Sequence, residues 1–310
     1  MTSPRLGAIE AGGTKVICLV GSDPDHIVRQ VRIPTGEPAE TLDQVVAFFK
    51  EQVTAGGPLD AIGIATFGPV ELRRSHPRYG FITTTPKPGW SDLDLVGPVH
   101  RALNVPVGFD TDVNGAALGE GRWGAARGLD TFVYMTVGTG IGVGAVIEGR
   151  VLHGLGHPEM GHISVARQPG DDFPGECRFH ADCLEGMAGG TAIAARWGRP
   201  AEQLDGDELA EAVALQAAYL AAGLRDIVYT IAPQRIVIGG SVTALPGLSA
   251  LVRVKLAETM AGYHRLPEHG VDDFIVPAAL GPLAGPAGAL VLADYARQPN
   301  REASAAHQAR

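Results

Sequence analysis

The chain has 310 residues, of which 45% are hydrophobic and 19% are charged, and its formal net charge is -9 at pH 7. This composition is ordinary for a globular enzyme and argues against disorder, and the length predicts two domains of about 100–200 residues each. The acidic balance and the lack of a Lys/Arg-rich stretch argue against nucleic-acid binding. The N-terminus lacks the layout of a signal peptide, and no apolar run reaches the roughly 18 residues of a membrane span, so we expect a cytoplasmic protein.

Strands and helices alternate along the chain, which predicts an α/β fold. The pattern of a strand, a glycine turn and a second strand occurs twice and indicates two related lobes. The expected elements, in chain order, are a hairpin over residues 5–20, a helix over 41–54, a strand over 59–66, a strand over 105–110, a helix over 114–121, a hairpin over 131–147, a helix over 208–231, a strand over 235–238, and helices over 248–263 and 285–297.

We expect these elements to form two lobes. The N-terminal lobe spans residues 1–111, with the final helix at 285–297 packing back on it. The C-terminal lobe spans 112–284 and includes an irregular stretch at 153–190. Residues 298–310 are polar and are expected to form a flexible tail.

Glycine-rich turns are the candidate nucleotide contacts. GAIEAGGTK, residues 7–15, places two glycines, a hydroxyl and an ammonium in one turn, where backbone amides can approach phosphate oxygens. It fits neither a P-loop nor a dinucleotide motif, because a strand follows it. TVGTGIG, residues 136–142, is a second such turn, and Gly239-Gly240 ends a later strand. One glycine hairpin is usually only a turn, whereas two in one chain favour a functional reading.

Asp110, Asp112 and Asn114 occupy alternate positions where a strand leads into a helix. At least two of these side chains can therefore point into one cleft. A kinase that acts on an alcohol needs a carboxylate that accepts the hydroxyl proton as the phosphoryl group arrives. The alternative is an Asx turn that caps the helix, and the local residues leave both interpretations open.

A stretch rich in histidine and cysteine follows the second hairpin. HPEMGHI, residues 157–163, holds two histidines and a glutamate, which suit the hydroxyls of a sugar. PGECRFHADCLEG, residues 174–186, adds a C-x2-H-x2-C pattern, which together with an upstream histidine has the ligand count and type of a closed tetrahedral zinc site. Cys18 lies in an apolar strand and is interpreted as a core residue. The predicted ligands of a structural Zn²⁺ are His162, Cys177, His180 and Cys183.

Together these segments resemble the ROK family of sugar kinases and repressors, and TTTPKPGW, residues 83–90, is similar to its bacterial fructokinase branch. The resemblance covers nearly the whole chain. It implies an actin-like (ribonuclease H-like) fold of two lobes, with ATP, Mg²⁺ and sugar meeting in the cleft, and it implies a homodimer. The usual aspartate of the first glycine loop is Glu10 here, and the usual cysteine-rich zinc loop is replaced by the C-x2-H-x2-C variant.

The resemblance also implies roles for individual residues. Asp112 matches the family's general base and Asn114 a sugar ligand of the same motif. The further predicted sugar contacts are Glu159, His157 and Glu185, with Lys87 and Trp90 of the TTTPKPGW segment at the acceptor end. The predicted ATP contacts are Gly12, Gly13, Thr14, Lys15, Thr136, Gly138, Thr139, Gly140, Gly239 and Gly240.

We therefore expect an enzyme that transfers the γ-phosphoryl group of ATP to the 6-hydroxyl of fructose. A kinase for glucose, mannose or an N-acetylhexosamine on the same scaffold is the nearest alternative. A sugar-responsive repressor is disfavoured, because the few residues before the first strand leave no room for a helix-turn-helix. A non-catalytic sugar sensor is the last alternative, and Asp112 and the two glycine loops argue against it.

Overall fold

The computed structural model describes residues 3–263 and 266–298. Its strands are β1 (Leu6–Ala11), β2 (Lys15–Gly21), β3 (Ile27–Pro34), β4 (Ala61–Thr66), β5 (Phe81–Ile82), β6 (Leu93–Asp94), β7 (Val107–Thr111), β8 (Phe132–Val137), β9 (Ile141–Ile147), β10 (Arg150–Val151), β11 (Ile236–Gly239) and β12 (Ile275–Pro277). Its helices are α1 (Pro38–Gly56), α2 (Val96–Leu103), α3 (Asp112–Trp123), α4 (Leu184–Ala188), α5 (Gly190–Trp197), α6 (Gly206–Ile231), α7 (Leu248–Met260) and α8 (Ala284–Arg297).

The chain divides into two compact units. The first comprises the chain up to Gly124, the segment His153–His157 and the chain from Pro282 onward, and the second comprises Ala125–Leu152 and Pro158–Gly281. Helix α3, which begins at Asp112, thus lies with the N-terminal strands, whereas the sequence placed the division at residue 111. The predicted tail at 298–310 falls outside the described residues except for Gln298. Within the described part of the chain, no helix combines the length and hydrophobicity that a membrane span requires.

The first unit is built on a five-stranded sheet in the order β3-β2-β1-β4-β7. The β1–β2 hairpin is antiparallel, and β1, β4 and β7 run parallel to one another. Helix α8 packs so closely on this sheet that a Cβ on Gly63 would lie 1.8 Å from the Ala289 carbonyl oxygen. A Cβ on Gly288 would likewise lie 1.6 Å from the Gly115 carbonyl oxygen, so α8 also contacts α3 backbone to backbone. Glycine is therefore needed at both positions for α8 to cover the sheet.

The second unit contains a sheet of the same connectivity, in the order β10-β9-β8-β11-β12. Its β8–β9 hairpin is antiparallel, and β11 pairs in parallel with β8 and β12. The long helix α6 buries one face in this unit, including Tyr219, Leu220 and Leu224. The fully buried Leu184 of α4 packs on α6, where a Cβ on Gly223 would lie 2.5 Å from it.

Candidate active site

The ends of three neighbouring strands bring the predicted catalytic residues to one edge of the first sheet. Parallel strands β1, β4 and β7 end together, with Ala11 opposite Thr66 and Thr66 opposite Thr111. The first glycine turn follows β1 directly, and Asp112 follows β7 as the first residue of α3. The carboxyl ends of parallel strands are a common location of ligand sites in α/β sheets.

The first glycine turn, Gly12–Lys15, is open on one side. The Gly12 N–H closes it by donating to the Lys15 carbonyl (2.9 Å), and the Thr35 hydroxyl donates to the Gly12 carbonyl (2.8 Å). Among the described residues, no atom lies within 4 Å of the position that a Cβ on Gly13 would take. The ammonium of Lys87 donates to the Gly13 carbonyl (2.7 Å), which adds a second cation beside Lys15. The turn can therefore receive an anionic group on its backbone amides.

Two carboxylates with raised pKa values lie at this edge. Burial, and next the negative charge of Asp112, raise the pKa of Glu10 to about 7, while the nearby Lys15 lowers it. Burial raises the pKa of Asp112 to about 6, although the Val113 N–H donates to its Oδ1 atom (2.8 Å) and opposes the shift. Asp112 is thus a carboxylate whose pKa lies close to neutral pH, as suits a group that accepts a proton.

Asp110 and Asn114 form a buried polar network beside Asp112. The Asn114 side-chain nitrogen donates to Asp110 Oδ1 (2.7 Å), and His153 Nε2 lies 2.9 Å from Asp110 Oδ2. The Asn114 N–H also donates to the Thr111 hydroxyl (3.2 Å), so Thr111 caps α3. The hydrogen bond to Asp110 raises the pKa of His153. His153 was not predicted as a site residue, because it lies 39 positions from Asn114 and no spacing pattern links the two.

Trp90 and His157, both predicted sugar contacts, support backbone in the first unit. The Trp90 side chain is 1% exposed, its indole N–H donates to the Gly36 carbonyl (3.0 Å), and its ring meets Phe67 edge-on at 5.4 Å. His157 Nε2 accepts a hydrogen bond from the Val70 N–H (3.0 Å). Trp90 therefore lies in the core, and the Nε2 atom of His157 is already used by the protein.

The second glycine turn, Thr136–Gly140, is open at Gly138 and packed at its Gly140 end. The Gly190 N–H, at the start of α5, donates to the Gly138 carbonyl (2.7 Å). Glu185 Oε2 accepts a hydrogen bond from the Ile141 N–H (2.9 Å), directly after the turn. The turn is therefore held by α4 and α5, and the glutamate that holds it is itself one of the predicted sugar contacts.

Gly239 and Gly240 close β11 beside this second turn. Gly239 pairs with Thr136 in the β8–β11 register. Gly240 has a φ of 95°, and a Cβ there would lie 2.3 Å from the Val137 carbonyl oxygen. Only glycine fits this position, since both the backbone angle and the space exclude a side chain. The structure thus brings these two predicted ATP contacts next to the second turn.

The four predicted zinc ligands form one cluster in the second unit. Their ligand atoms lie within 4.8 Å of one another. His162 Nδ1 is 3.6 Å from Cys177 Sγ and 3.5 Å from Cys183 Sγ, and His180 Nδ1 is 3.8 Å from Cys177 Sγ. Tetrahedral bonds of about 2.3 Å to sulfur and 2.0–2.1 Å to nitrogen require sulfur–nitrogen separations of about 3.6 Å. The donor set and its spacing therefore fit a zinc ion.

Both remaining predicted sugar contacts adjoin this cluster. Glu159 is exposed and immediately precedes a 3-10 turn, Met160–His162. The His162 N–H of this turn donates a hydrogen bond to the Glu159 carbonyl (2.9 Å). Glu185 follows the cluster, and its Oε1 atom lies 4.0 Å from His162 Nδ1. A metal that fixes His162 would therefore also fix the backbone that carries Glu159.

A buried ion pair in the same unit was not predicted from the sequence. Arg196 of α5 donates two hydrogen bonds to Asp171 (2.5 and 2.7 Å), and both side chains are less than a tenth exposed. Tyr219 also donates to Asp171, and the Phe173 ring lies 4.1 Å from the Arg196 guanidinium carbon. These contacts, led by the hydrogen bond from Arg196, lower the pKa of Asp171 to about 2. The pair ties the loop between Glu159 and the zinc cluster to α5 and α6.

Comparison with known proteins identifies the family. The model of the ROK family matches residues 6–296, so the chain belongs to the ROK family, and the prediction from the sequence motifs is confirmed. The chain is 44% identical over 290 residues to a fructokinase from Zymomonas mobilis subsp. mobilis, covering 93% of this chain and 95% of the relative. It is 40% identical over 291 residues to a fructokinase from Pediococcus pentosaceus, covering 94% and 98%.

The fold is also that of solved ROK kinases. The crystal structure of a ROK hexokinase from Thermus thermophilus matches with a TM-score of 0.75 at 29% identity, covering 94% of this chain and 98% of that chain. The predicted actin-like α/β class is therefore confirmed.

Proposed function

We propose that this protein is an ATP-dependent fructokinase, which transfers the γ-phosphoryl group of ATP to the 6-hydroxyl of D-fructose and releases ADP and fructose 6-phosphate. The observation that carries the proposal is the open glycine turn at the same sheet edge as Asp112, whose pKa is about 6. The choice of fructose is supported by the names of relatives at 44% and 40% identity. The predicted class, a sugar kinase, is confirmed by these relatives and by the ROK hexokinase.

Asp112 is the proposed general base. Its Oδ1 atom accepts the Val113 N–H, which orients the carboxylate, and Oδ2 accepts the proton of the sugar hydroxyl as the phosphoryl group arrives. A pKa of about 6 leaves the carboxylate ionised at neutral pH. Because the transition state of phosphoryl transfer is loose, positioning and charge neutralisation contribute more than proton removal.

The first glycine turn and Glu10 are the proposed sites for the phosphates and for Mg²⁺. A buried carboxylate whose pKa is raised to about 7 by burial and by a second carboxylate is a place where a dication is favoured, so Glu10 fits the role. When bound, Mg²⁺ neutralises charge on the ATP phosphates. The chain itself supplies the backbone amides of the turn and the ammonium groups of Lys15 and Lys87.

We propose that both glycine turns and Gly239-Gly240 contact ATP. The proposed ATP contacts are Gly12, Gly13, Thr14, Lys15, Thr136, Gly138, Thr139, Gly140, Gly239 and Gly240. We propose Asn114, Glu159 and Glu185 as sugar contacts, because each carries a polar group beside the catalytic or metal-binding residues of its own unit. His157, Lys87 and Trp90 are proposed to shape the site through the loops that they hold.

The Cys/His cluster is the proposed structural zinc site. All four ligand positions are filled by His162, Cys177, His180 and Cys183, as in closed structural sites. When bound, zinc would fix the loop that carries Glu159 and leads into Glu185. A homodimer in the cytoplasm, without nucleic-acid partners, stays a prediction from the sequence and the resemblance.

An ADP-release assay over a panel of hexoses tests the proposed function. We expect fructose to give the highest kcat/KM of a panel that includes glucose, mannose, N-acetylglucosamine and N-acetylmannosamine. A clear preference for another hexose would replace fructose as the substrate and leave the mechanism intact. If no hexose releases ADP above the rate without sugar, the kinase assignment is wrong.

A further inference from the structure

A five-residue segment, His153–His157, belongs to the first unit, although the chain on both sides of it belongs to the second unit. We call it the strap. It has no regular secondary structure, and its central residue, Leu155, is 86% exposed. The strap is held to the first unit by a histidine at each end. His153 Nε2 lies 2.9 Å from Asp110 Oδ2, and His157 Nε2 accepts the Val70 N–H at 3.0 Å.

The His153 end of the strap meets a carboxylate that is already engaged. Asp110 is 3% exposed, and its Oδ1 atom accepts hydrogen bonds from the Thr111 N–H (2.8 Å) and from the Asn114 side-chain nitrogen (2.7 Å). Asp110 Oδ2 faces His153, which must therefore carry a proton on Nε2 to make a favourable contact. The raised pKa of His153 agrees with this arrangement.

The network determines which atom of Asn114 faces a ligand. Because its side-chain nitrogen donates to Asp110, the amide cannot turn over without losing that hydrogen bond, and its Oδ1 atom is left to accept a bond from a sugar hydroxyl. Asn114 and His153 donate to different oxygen atoms of one carboxylate, with their nitrogen atoms 3.5 Å apart. Loss of His153 would leave Asp110 Oδ2 without its partner and free the carboxylate to rotate away from Asn114.

We propose that His153 is a positioning residue of the sugar site, which fixes Asp110 and thereby holds the Asn114 amide with its oxygen toward the substrate. The proposal rests on the proposed function, because it takes Asn114 as a sugar ligand. It assigns to the strap a role in substrate affinity. His153 touches neither ATP nor the transferred group in this role, so the chemical step should be little changed by its loss.

Steady-state kinetics of three His153 variants test the proposal. His153→Gln can place an N–H where Nε2 stands, whereas His153→Asn is too short and His153→Ala has no donor. We expect His153→Ala and His153→Asn to raise KM for fructose by about 10-fold, since a hydrogen bond to a charged group is lost, with kcat and KM for ATP changed by less than about threefold. We expect His153→Gln to remain within about threefold of wild type in every parameter.

Leu155→Ala, in the middle of the same strap, is the matched control and should leave all parameters unchanged. The proposal is overturned if His153→Gln and His153→Asn have equal effects, if KM for fructose is unchanged in both, or if kcat falls while KM does not. Should His153→Ala fail to fold, the comparison of the Gln and Asn variants decides by itself.

A second readout separates this proposal from the fructokinase assignment. In ¹⁵N NMR of the whole protein, His153 should show a proton on Nε2 and a pKa above the usual value for histidine, and Asp110→Asn should lower that pKa. If the hexose panel shows another preferred sugar, the kinetic test is repeated with that sugar. If no hexose is phosphorylated but the NMR result holds, the proposed function fails and the Asp110–His153 pairing stands. An unperturbed His153 pKa overturns the pairing itself.

Discussion

The two units share a sheet plan but differ in how their glycine turns are built. In both, a glycine turn joins an antiparallel hairpin that is extended by two parallel strands. The first turn is open at Gly13 and lies near the ionisable groups of Glu10 and Lys15. The second turn is likewise open at one glycine, Gly138, but its other end is packed on α4 and α5, where a Cβ on Gly140 would lie 2.3 Å from Glu185 Oε2.

The repeated topology places a glycine turn at the same point of each sheet, while the side chains and loops around each turn determine what chemistry it can support. The first unit gathers the proposed base and the proposed phosphate-binding turn at its sheet edge. The second unit carries the segment from Pro158 to α5, which holds two proposed sugar contacts and is fixed by the Cys/His cluster and by the Arg196–Asp171 pair. If this division is correct, changes in the two units should have separable effects on turnover, on sugar affinity and on stability.

Removal of the buried ion pair should have the largest effect, and the effect should be on stability. Asp171→Ala leaves the Arg196 guanidinium buried without its partner, which costs about 3–5 kcal/mol in the free energy of unfolding. Glu258→Ala removes an exposed pair with Lys255 in the same unit and should cost less than about 1 kcal/mol. Urea unfolding measures both, and equal losses would show that the buried pair does not hold the loop.

The same pair predicts a dependence on pH. Because the pKa of Asp171 is lowered to about 2 in the folded protein, its stabilising contribution is fully present above about pH 4 and is lost as pH falls toward 2. The difference in unfolding free energy between wild type and Asp171→Asn should therefore shrink over that range. A difference that stays constant down to pH 2 would contradict the assignment of this pKa shift to the ion pair.

In the first unit, Asp112→Asn should lower turnover by about 100-fold or more, because the variant keeps the size of the side chain but cannot accept a proton. Binding of ATP and sugar should change little. Since burial raises the pKa of Asp112 to about 6, the wild-type rate should also fall as pH is lowered through that value. The control is Asp43→Asn, an exposed position of α1. Turnover of Asp112→Asn within a few-fold of wild type would exclude Asp112 as the base.

Much of the fold was predictable because glycine turns and apolar periodicity mark it locally. Both hairpins, the strand before Asp112 and the long helix α6 were located within a few residues. Strand β3 was missed, since as an edge strand it is mostly exposed and its apolar alternation is short, limited to Val31 and Ile33 near its end. Helix α4 was hidden in the stretch at 153–190 that was expected to be irregular, and α5 lies almost entirely in residues for which no element was expected. Both are short helices rich in glycine and alanine that lack a periodic apolar face.

The site was predictable to the extent that its residues are close in sequence. The C-x2-H-x2-C spacing placed three predicted metal ligands together, and the structure adds His162 to the cluster as expected. The Asp110–His153 and Arg196–Asp171 contacts join residues that are far apart along the chain, and only the folded backbone brings them together. Trp90 shows that closeness in sequence can also mislead. It was predicted as a sugar contact from the TTTPKPGW segment, but its side chain is buried and its indole N–H donates to the Gly36 carbonyl.

The zinc proposal predicts one metal ion per chain in protein purified without chelator. Cys177→Ser combined with Cys183→Ser removes two of the four ligands, so we expect loss of the metal, a lower melting temperature and a KM for sugar raised by about 10-fold through the loosened Glu159 loop. Cys18→Ala, at a core cysteine of β2, should leave the metal content unchanged. Active enzyme without zinc, or a double variant with wild-type affinity and melting temperature, would refute the site.

The smallest expected effects come from adding one methyl group to each glycine turn. In Gly140→Ala the new Cβ would collide with Glu185 Oε2, so the carboxylate must move and release the Ile141 N–H. We expect a KM for sugar raised a few-fold and a slightly lower melting temperature, because a packed site resists small insertions. In Gly13→Ala the methyl group enters open space, so the melting temperature should be unchanged and only KM for ATP should rise, again by a few-fold.

These two alanine variants decide whether the packed end of the second turn and the open first turn have different roles. If Gly140→Ala changes KM for ATP alone, Glu185 acts on the nucleotide turn and is not a sugar contact. If Gly13→Ala lowers the melting temperature as much as Gly140→Ala does, the first turn is a structural element rather than an open phosphate site. The expected result is that Gly140→Ala raises KM for sugar and Gly13→Ala raises KM for ATP. Because Glu185 is the side chain that the Gly140 methyl group displaces, this result would show that Glu185 joins the second turn to the sugar site.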